Sequence, residues 1–149
     1  MDVLKLYNTV QKFPFGKNIF SFLVCLKAPY FRSIKPTITV MQEGRVEATI
    51  KQHRAIQNHI QTIHAIAVCN LCELAMGMLV EATIPKNLRW LPTGMDVKYL
   101  KKTMGTVTAI TTAKKEDFKP GNLDIKVDIF NSSNELVDTA VITINIKEK

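Results

Sequence analysis

One carboxylate lies in the middle of the most apolar stretch of the chain. Between Ala65 and Val80 only Asn70 and Glu73 are clearly polar, and the sequence predicts a helix of about four turns over this segment. Because apolar residues cover every face of this helix, we expect it to be buried. A buried carboxylate is costly unless it is paired, hydrogen-bonded or shifted in its pKa. Glu73 is therefore a candidate catalytic residue, and a paired structural carboxylate is the alternative.

The segment before this helix is polar and carries candidate binding groups. Residues 52–63 follow no clear hydrophobic period, and they include His53, Asn58 and His59. A polar segment of this length directly before a buried helix is typical of a functional loop. Asn58 is a candidate functional residue, and capping of a turn is its structural alternative. His64 ends the segment, either as a functional residue or as a histidine satisfied at the helix start.

Cys69 and Cys72 have the Cys-x-x-Cys spacing of redox and metal sites. No second pair of this kind is present and the flanking residues are apolar helix formers, so we interpret these cysteines as core residues. With Cys25 the chain has three cysteines, an odd number that argues against a disulfide framework and for a reducing compartment. The three histidines follow no metal-ligand pattern, and we expect no metal site. The sequence also lacks a Gly-x-Ser-x-Gly motif, which argues against a serine hydrolase.

The chain is basic, with a formal net charge of +7 and a pI near 9.4. This charge favours an anionic partner such as a phosphate-bearing small molecule or a membrane surface. The basic residues are spread out and are not interleaved with aromatic residues, so we expect no nucleic acid partner. The start of the sequence has no basic n-region, and the apolar run from Ile19 to Leu26 is too short to span a bilayer. We expect a cytoplasmic protein without integral membrane association.

The elements around the central helix indicate an α+β fold. With 149 residues the chain has the size of one domain, in which residues 1–36 form a helical extension and residues 37–147 the core. Helical spacing predicts helices over residues 2–12 and from Asn18 to Lys27. Strand-like alternation occurs in Thr37–Gln42, Arg45–Lys51, Met95–Lys102, Thr106–Ala113, Leu123–Phe130 and Leu136–Ile146. The order of these elements predicts an antiparallel sheet wrapped around one long central helix.

The spacing of the polar residues resembles that of a known family. Asn58, His64 and Glu73 fall on an Asn-x-x-x-x-x-His-Gly-Gly pattern followed by an acid nine residues after the His. The segment from Met95 to Gly105 is similar to a strand with a Tyr-Leu-x-x-x-x-Gly pattern. Over residues 37–147 the chain thus resembles the hotdog-fold thioesterases of the phenylacetyl-CoA and 4-hydroxybenzoyl-CoA kind.

The resemblance implies an assembly and a set of catalytic roles. Hotdog proteins join two sheets into one in a homodimer, often pair dimers into tetramers, and have their active sites at the dimer interface. By position, Glu73 would act as the general base or nucleophile toward a thioester. The backbone N–H of Ala65 on the other subunit would be the oxyanion donor, since a helix N-terminus stabilises negative charge. Asn58 and His64 would position the thioester or water.

The resemblance also implies a substrate and raises an alternative. The substrate would be an acyl-CoA or acyl-carrier-protein thioester, with coenzyme A as part of the substrate and no other cofactor. Pocket residues would be Ile66, Cys69, Met76 and Gly77, with Lys101 and Lys102 near the phosphates of coenzyme A. Ala65 and Ile66 replace the two glycines of the pattern. The branched side chain of Ile66 would narrow the approach of an acyl chain to the site. The sequence therefore predicts a thioesterase, with a non-catalytic acyl-thioester or lipid-binding module as the alternative and an association scaffold as a third.

Overall fold

The computed structural model of the chain describes residues 2–149, which form three α-helices and six strands. The helices are α1 (Val3–Val10), α2 (Gly16–Lys27) and α3 (Ala65–Thr83), with short 3-10 helices at Pro29–Ile34, Arg54–Ile56 and Lys115–Asp117. The strands are β1 (Thr37–Gln42), β2 (Arg45–Lys51), β3 (Leu88–Tyr99), β4 (Thr106–Thr112), β5 (Gly121–Asn131) and β6 (Leu136–Glu148).

All six strands form one antiparallel sheet in the order β1-β2-β4-β5-β6-β3. The β1–β2 hairpin has the predicted bounds, and Gly44 adopts a φ of +81° in its turn, a conformation that favours glycine. Along β4 and β5 every second residue is buried, because successive side chains of a strand point to opposite faces. The sheet therefore presents one apolar face and one solvated face.

Helix α3 packs against this apolar face, in contact with β1, β2, β4, β5 and β6. Its residues Leu71, Leu74, Met76 and Leu79 are completely buried. The expected α+β architecture, an antiparallel sheet around one central helix, is confirmed. At 19 residues α3 is longer than predicted. By length and composition it could cross a membrane, but 61% of its most apolar 18-residue stretch is buried inside the fold.

One face of α3 is not covered by the chain. Ile66, Glu73 and Glu81 are exposed, and Cys69 and Gly77 between them are only partly buried. These positions recur every three or four residues and therefore lie on one side of the helix. The prediction that Glu73 is a buried charge is wrong for the single chain, because the elements beside this face leave the Glu73 side chain exposed.

The N-terminal helices pack beside α3 and β1. Tyr7 of α1 stacks edge-on against Phe20 of α2 with ring centroids 5.0 Å apart, and its hydroxyl donates to the Thr39 carbonyl (3.0 Å). Helix α2 begins at Gly16, two residues before the predicted start at Asn18, with Phe15 as its N-cap, and a 3-10 helix follows it. The chain thus covers part of α3 with helices before it enters the sheet.

Strand β3 begins at Leu88, earlier than the predicted Met95, and it includes Pro92. Proline lacks the N–H that a central strand needs, but β3 is at the edge of the sheet and its register shifts between Pro92 and Gly94. Most residues of β3 are exposed. The structure thus has a long, open edge strand beside the uncovered face of α3.

Candidate active site

The N-terminus of α3 carries an unused backbone donor. His64 is the N-cap, its Nδ1 accepts the Ile66 N–H (3.1 Å), and its carbonyl accepts the N–H groups of Ala67 (2.9 Å) and Val68 (3.2 Å). Within residues 2–149 the Ala65 N–H has no acceptor. The helix dipole adds partial positive charge at this end. An oxygen that acquires negative charge can therefore be stabilised at Ala65.

Asn58 holds the loop in front of this helix. Its Oδ1 accepts the N–H groups of Ile60 (3.1 Å) and Thr62 (3.0 Å), and its Nδ2 donates to the Thr62 hydroxyl (2.7 Å). The amide thus has partners within the turn on both its oxygen and its nitrogen. This is the turn-capping role that was the alternative for Asn58. Its role in the single chain is to shape the wall of the site.

A cavity of about 380 Å³ lies between this loop, the start of α3 and the segment after β3. Its lining includes Asn58, Ala65, Tyr99, Lys101, Lys102 and Asp138. Lys101 pairs with Glu135 (3.1 Å), and the hydrogen bond from Asn131 together with this ion pair lowers the pKa of Glu135. Lys102 is exposed at the same rim and has no carboxylate partner in the described part of the chain. The cavity therefore combines a free backbone donor with a basic rim.

The two cysteines of α3 differ in their surroundings. Cys69 Sγ lies 3.2 Å from the Tyr99 hydroxyl, and this hydrogen bond together with partial burial raises the pKa of Tyr99 to about 12. Cys72 is completely buried, and burial raises the pKa of its thiol. A thiol that does not ionise is a poor nucleophile and a poor metal ligand. Among residues 2–149 no three His, Cys, Asp or Glu side chains converge as a metal site.

Asp138 of β6 is a candidate residue that the sequence interpretation missed. It is completely buried at the cavity wall, and the Thr103 hydroxyl donates to its Oδ2 (2.6 Å). Its Oδ1 has no partner in the described structure. Burial raises the pKa of this carboxyl, and the hydrogen bond from Thr103 offsets part of the increase. The sequence did carry a sign of this burial. Asp138 alternates with Ala140 and Ile142 and therefore lies on the face of β6 that points to the core.

Glu73 lies apart from the cavity at the helix N-terminus. It is eight residues beyond Ala65, which in an α-helix is a distance of about 12 Å along the axis. It lines a second, apolar cavity of about 700 Å³ between α2, α3 and β3, together with Leu23, Gly77 and Trp90. The Trp90 ring lies over Gly77, and its Nε1 donates to Glu81 (2.9 Å).

The structure thus divides the predicted site residues into four groups. Asn58, Ala65, Lys101 and Lys102 line the cavity at the start of α3, while Glu73 and Gly77 line the apolar cavity. Ile66, Cys69 and His64 lie on the accessible side of α3 or at its start, outside the lining of both cavities. Met76 is completely buried in the core and reaches neither cavity. A single chain does not bring the carboxylate of Glu73 to the free N–H of Ala65.

The fold and sequence match known proteins over most of the chain. Residues 16–146 match the family model described as Domain of unknown function (DUF4442). The crystal structure of the structural-genomics target APC5556 is 34% identical, with a TM-score of 0.88 over 99% of both chains. No curated protein matches the chain at a significant level.

Two more distant structures share the fold and carry functional names. PA5026 from Pseudomonas aeruginosa, a protein of unknown function described as a "Probable Thioesterase", is 14% identical with a TM-score of 0.80, over 92% of this chain and 97% of that one. A hypothetical thioesterase from Streptococcus pneumoniae, in complex with coenzyme A, is 19% identical with a TM-score of 0.69, over 84% and 98%. The expected hotdog fold is confirmed. The chain therefore belongs to the DUF4442 family and has the hotdog fold.

Proposed function

We propose that this protein is a cytoplasmic acyl-CoA thioesterase that acts as a homodimer or a dimer of dimers. The observation that carries the proposal is the unpaired N–H of Ala65, which lies at the N-terminus of α3 and lines a cavity with a basic rim. This arrangement suits the negative oxygen that forms when water adds to a thioester carbonyl. The fold shared with thioesterases supports the same reaction class.

Each proposed site uses two subunits. Glu73 is exposed on the uncovered face of α3, beside the open edge strand β3, and about 12 Å from the Ala65 of its own chain. Pairing of β3 with its counterpart would set the uncovered faces of two α3 helices against each other. The partner subunit's Glu73 could then approach Ala65.

The proposed reaction is hydrolysis of the thioester. The Glu73 carboxylate removes a proton from water, whose oxygen forms a bond to the carbonyl carbon, while the Ala65 N–H binds the resulting oxyanion. Collapse of this intermediate breaks the carbon–sulfur bond, and the thiolate leaves and is protonated. In a nucleophilic variant, the Glu73 carboxylate bonds to the carbonyl carbon, the carbon–sulfur bond breaks as the thiolate leaves, and water hydrolyses the resulting mixed anhydride to the free acid and Glu73. Asn58 and His64 shape the site and position water.

The substrate contacts follow from the two cavities and their rims. We assign Lys101 and Lys102 to the phosphates of coenzyme A, which is part of the substrate, and no other cofactor is needed. Ile66, Cys69 and Gly77 lie along the accessible face of α3 and would contact the acyl group. The coenzyme A complex of the Streptococcus pneumoniae protein supports this class of ligand. An acyl-carrier-protein thioester presents the same reacting group.

The alternative is a module that binds acyl thioesters without hydrolysing them. It is favoured by Ile66, whose branched side chain is exposed next to the proposed oxyanion donor, where the thioesterase pattern that the chain resembles has glycine. A large side chain at this point would narrow the approach of the acyl chain to the site.

Substitution of Glu73 by Gln tests the role of the carboxylate. We expect Glu73→Gln to lower kcat against a panel of short, long and aromatic acyl-CoAs by a factor of about 100 or more, because the amide cannot accept a proton. Glu81→Gln is the matched control, since Glu81 lies on the same face and bonds to Trp90. Hydrolysis by wild type that persists in Glu73→Gln would contradict the assignment. A wild type that binds acyl-CoA without hydrolysis would favour the binding module.

Substitution of Ala65 by Pro tests the oxyanion donor without breaking the helix. Ala65 is the first residue of α3, a position that tolerates proline, and His64 already has the extended backbone (φ −62°, ψ 137°) that proline requires before it. The change therefore removes the N–H and little else. We expect kcat to fall by about 100-fold to 1,000-fold. Ala65→Ser keeps the N–H, and an equal loss in both variants would show that the N–H is not the donor.

A further inference from the structure

Helix α2 exposes an apolar stripe on its outer side. Phe15, Ile19, Phe22, Leu26 and Tyr30 recur every three or four residues from the N-cap of α2 into the following 3-10 helix. Their side chains are 47–81% exposed, with Phe15 the most exposed. Such a contiguous row of large apolar side chains is unusual on a soluble surface and marks a site of interaction.

The opposite side of α2 is already used by the core. Phe20, Ser21 and Cys25 are buried, and the Ser21 hydroxyl accepts the Ile38 N–H (2.8 Å). The side chains of Leu23 and Val24 line the apolar cavity beside α3. The outer stripe is therefore a separate surface that neither the core nor the apolar cavity accounts for.

The turn before α2 fixes the most exposed aromatic residue in place. Phe15 has a φ of +58°, a conformation that costs a bulky residue energy. The turn depends on Gly16, because a Cβ there would be 2.0 Å from the Val10 carbonyl oxygen. The Gly16 N–H donates to the Phe13 carbonyl (2.9 Å), and Phe13 is also 63% exposed. The turn holds two phenyl rings in solvent at a conformational cost, which indicates that their exposure has a use.

The same segment holds most of the net charge of the chain. Residues 1–36 contain six lysine or arginine side chains and one carboxylate, a net charge of +5 out of +7. The exposed cations of this segment that follow α1 are Lys12, Lys17, Lys27, Arg32 and Lys35. No ion pair in the part of the chain that the structure describes involves any of them. An apolar stripe in a segment rich in free cations is complementary to an apolar layer with an anionic surface.

We propose that the outer face of α2, with the Phe13–Phe15 turn, docks on an anionic lipid bilayer. The aromatic and aliphatic side chains would enter the boundary between headgroups and acyl chains, while the lysines meet anionic headgroups. A second copy of the chain is the competing occupant, but a symmetric contact would bring two segments of charge +5 together. Docking is peripheral and does not depend on thioester hydrolysis.

The first test is binding to vesicles. Wild-type protein is sedimented with phosphatidylcholine vesicles and with vesicles in which one quarter of the lipid is phosphatidylglycerol. We expect strong binding only to the anionic vesicles, and weaker binding at high salt because salt screens the lysines. Absence of binding to the anionic vesicles would overturn the proposal.

Two pairs of variants locate the surface. We expect Phe22→Ser/Leu26→Ser to weaken binding by about tenfold or more, and Val141→Ser/Met104→Ser, which removes exposed apolar side chains elsewhere, to bind like wild type. Lys12→Glu/Lys17→Glu should weaken binding more than Lys119→Glu/Lys147→Glu, which changes the net charge equally. Equal losses within either pair would contradict docking by this face.

The molecular mass in solution separates the lipid from a second copy. Wild type and Phe22→Ser/Leu26→Ser should have the same mass by light scattering across a range of concentrations. A lower mass of the variant would show that this face joins two copies of the chain, and that result would overturn the proposal.

Discussion

The imidazole of His64 has one nitrogen bound in the fold and one that remains accessible. Nδ1 accepts the Ile66 N–H and so carries no proton, which places the proton of the neutral ring on Nε2. In this state His64 can donate a hydrogen bond but cannot act as a base at Nδ1 without losing the helix cap. This arrangement favours Glu73 as the proton acceptor and His64 as a positioning group.

Asp138 is a residue whose protonation is coupled to folding. Burial raises the pKa of its carboxyl above the unfolded value, so its favourable contribution to stability is present at low pH and is lost as the pH rises through the folded pKa. The free energy of unfolding of Asp138→Asn relative to wild type should therefore be higher at pH 7 than at pH 4.

Urea unfolding at both pH values measures this difference. Asp124→Asn is the matched control, because Asp124 accepts the same kind of hydrogen bond from Thr143 (2.6 Å) at an exposed site of the same sheet. An equal stability difference between Asp138→Asn and wild type at both pH values would contradict this expectation. That result would show that ionisation of Asp138 does not change the free energy of unfolding.

At the scale of elements, two helical glycines have opposite constraints. A Cβ at Gly16 would be 2.0 Å from the Val10 carbonyl oxygen, whereas a Cβ at Gly77 would be 3.6 Å from the Trp90 ring, an ordinary contact. We expect Gly16→Ala to lower the free energy of unfolding by about 1–3 kcal/mol. Gly77→Ala should raise it by about 0.5–1 kcal/mol, because alanine loses less conformational entropy in a helix. Thermal unfolding of both variants tests this contrast, and equal effects would refute it.

At the scale of the whole molecule, the edge strand β3 and the uncovered face of α3 line the same apolar cavity. Exposed edge strands with apolar side chains tend to pair with another chain. Because Leu91 on β3 is 67% exposed, we expect wild type to have at least twice the chain mass of 16.8 kDa in solution.

Leu91→Glu should shift the protein toward the monomer. In a symmetric contact the two new carboxylates would face each other and be shielded from water, which destabilises the dimer. Val141→Glu, on the neighbouring strand β6, is the control. Light scattering at several concentrations measures both, and a monomeric wild type would contradict the proposed two-subunit site.

The sequence by itself determined the local elements and the overall architecture. The hairpin from Thr37 to Lys51 and the start of α3 at Ala65 follow from hydrophobic period and turn residues, which are properties of neighbouring residues. The apolar composition of α3 placed it in the core. The resemblance then selected one fold among those with a sheet around a helix.

Only the tertiary structure decided which side chains are covered. Glu73 is exposed although its helix is apolar on nearly every side, Asp138 is buried although its strand begins near a turn, and Met76 lies in the core. Burial depends on which distant elements pack over a residue, and the uncovered face of α3 and the outer side of α2 result from where the sheet and helices end. A periodic pattern shows which residues share a face, but the packing of the folded chain determines what that face meets.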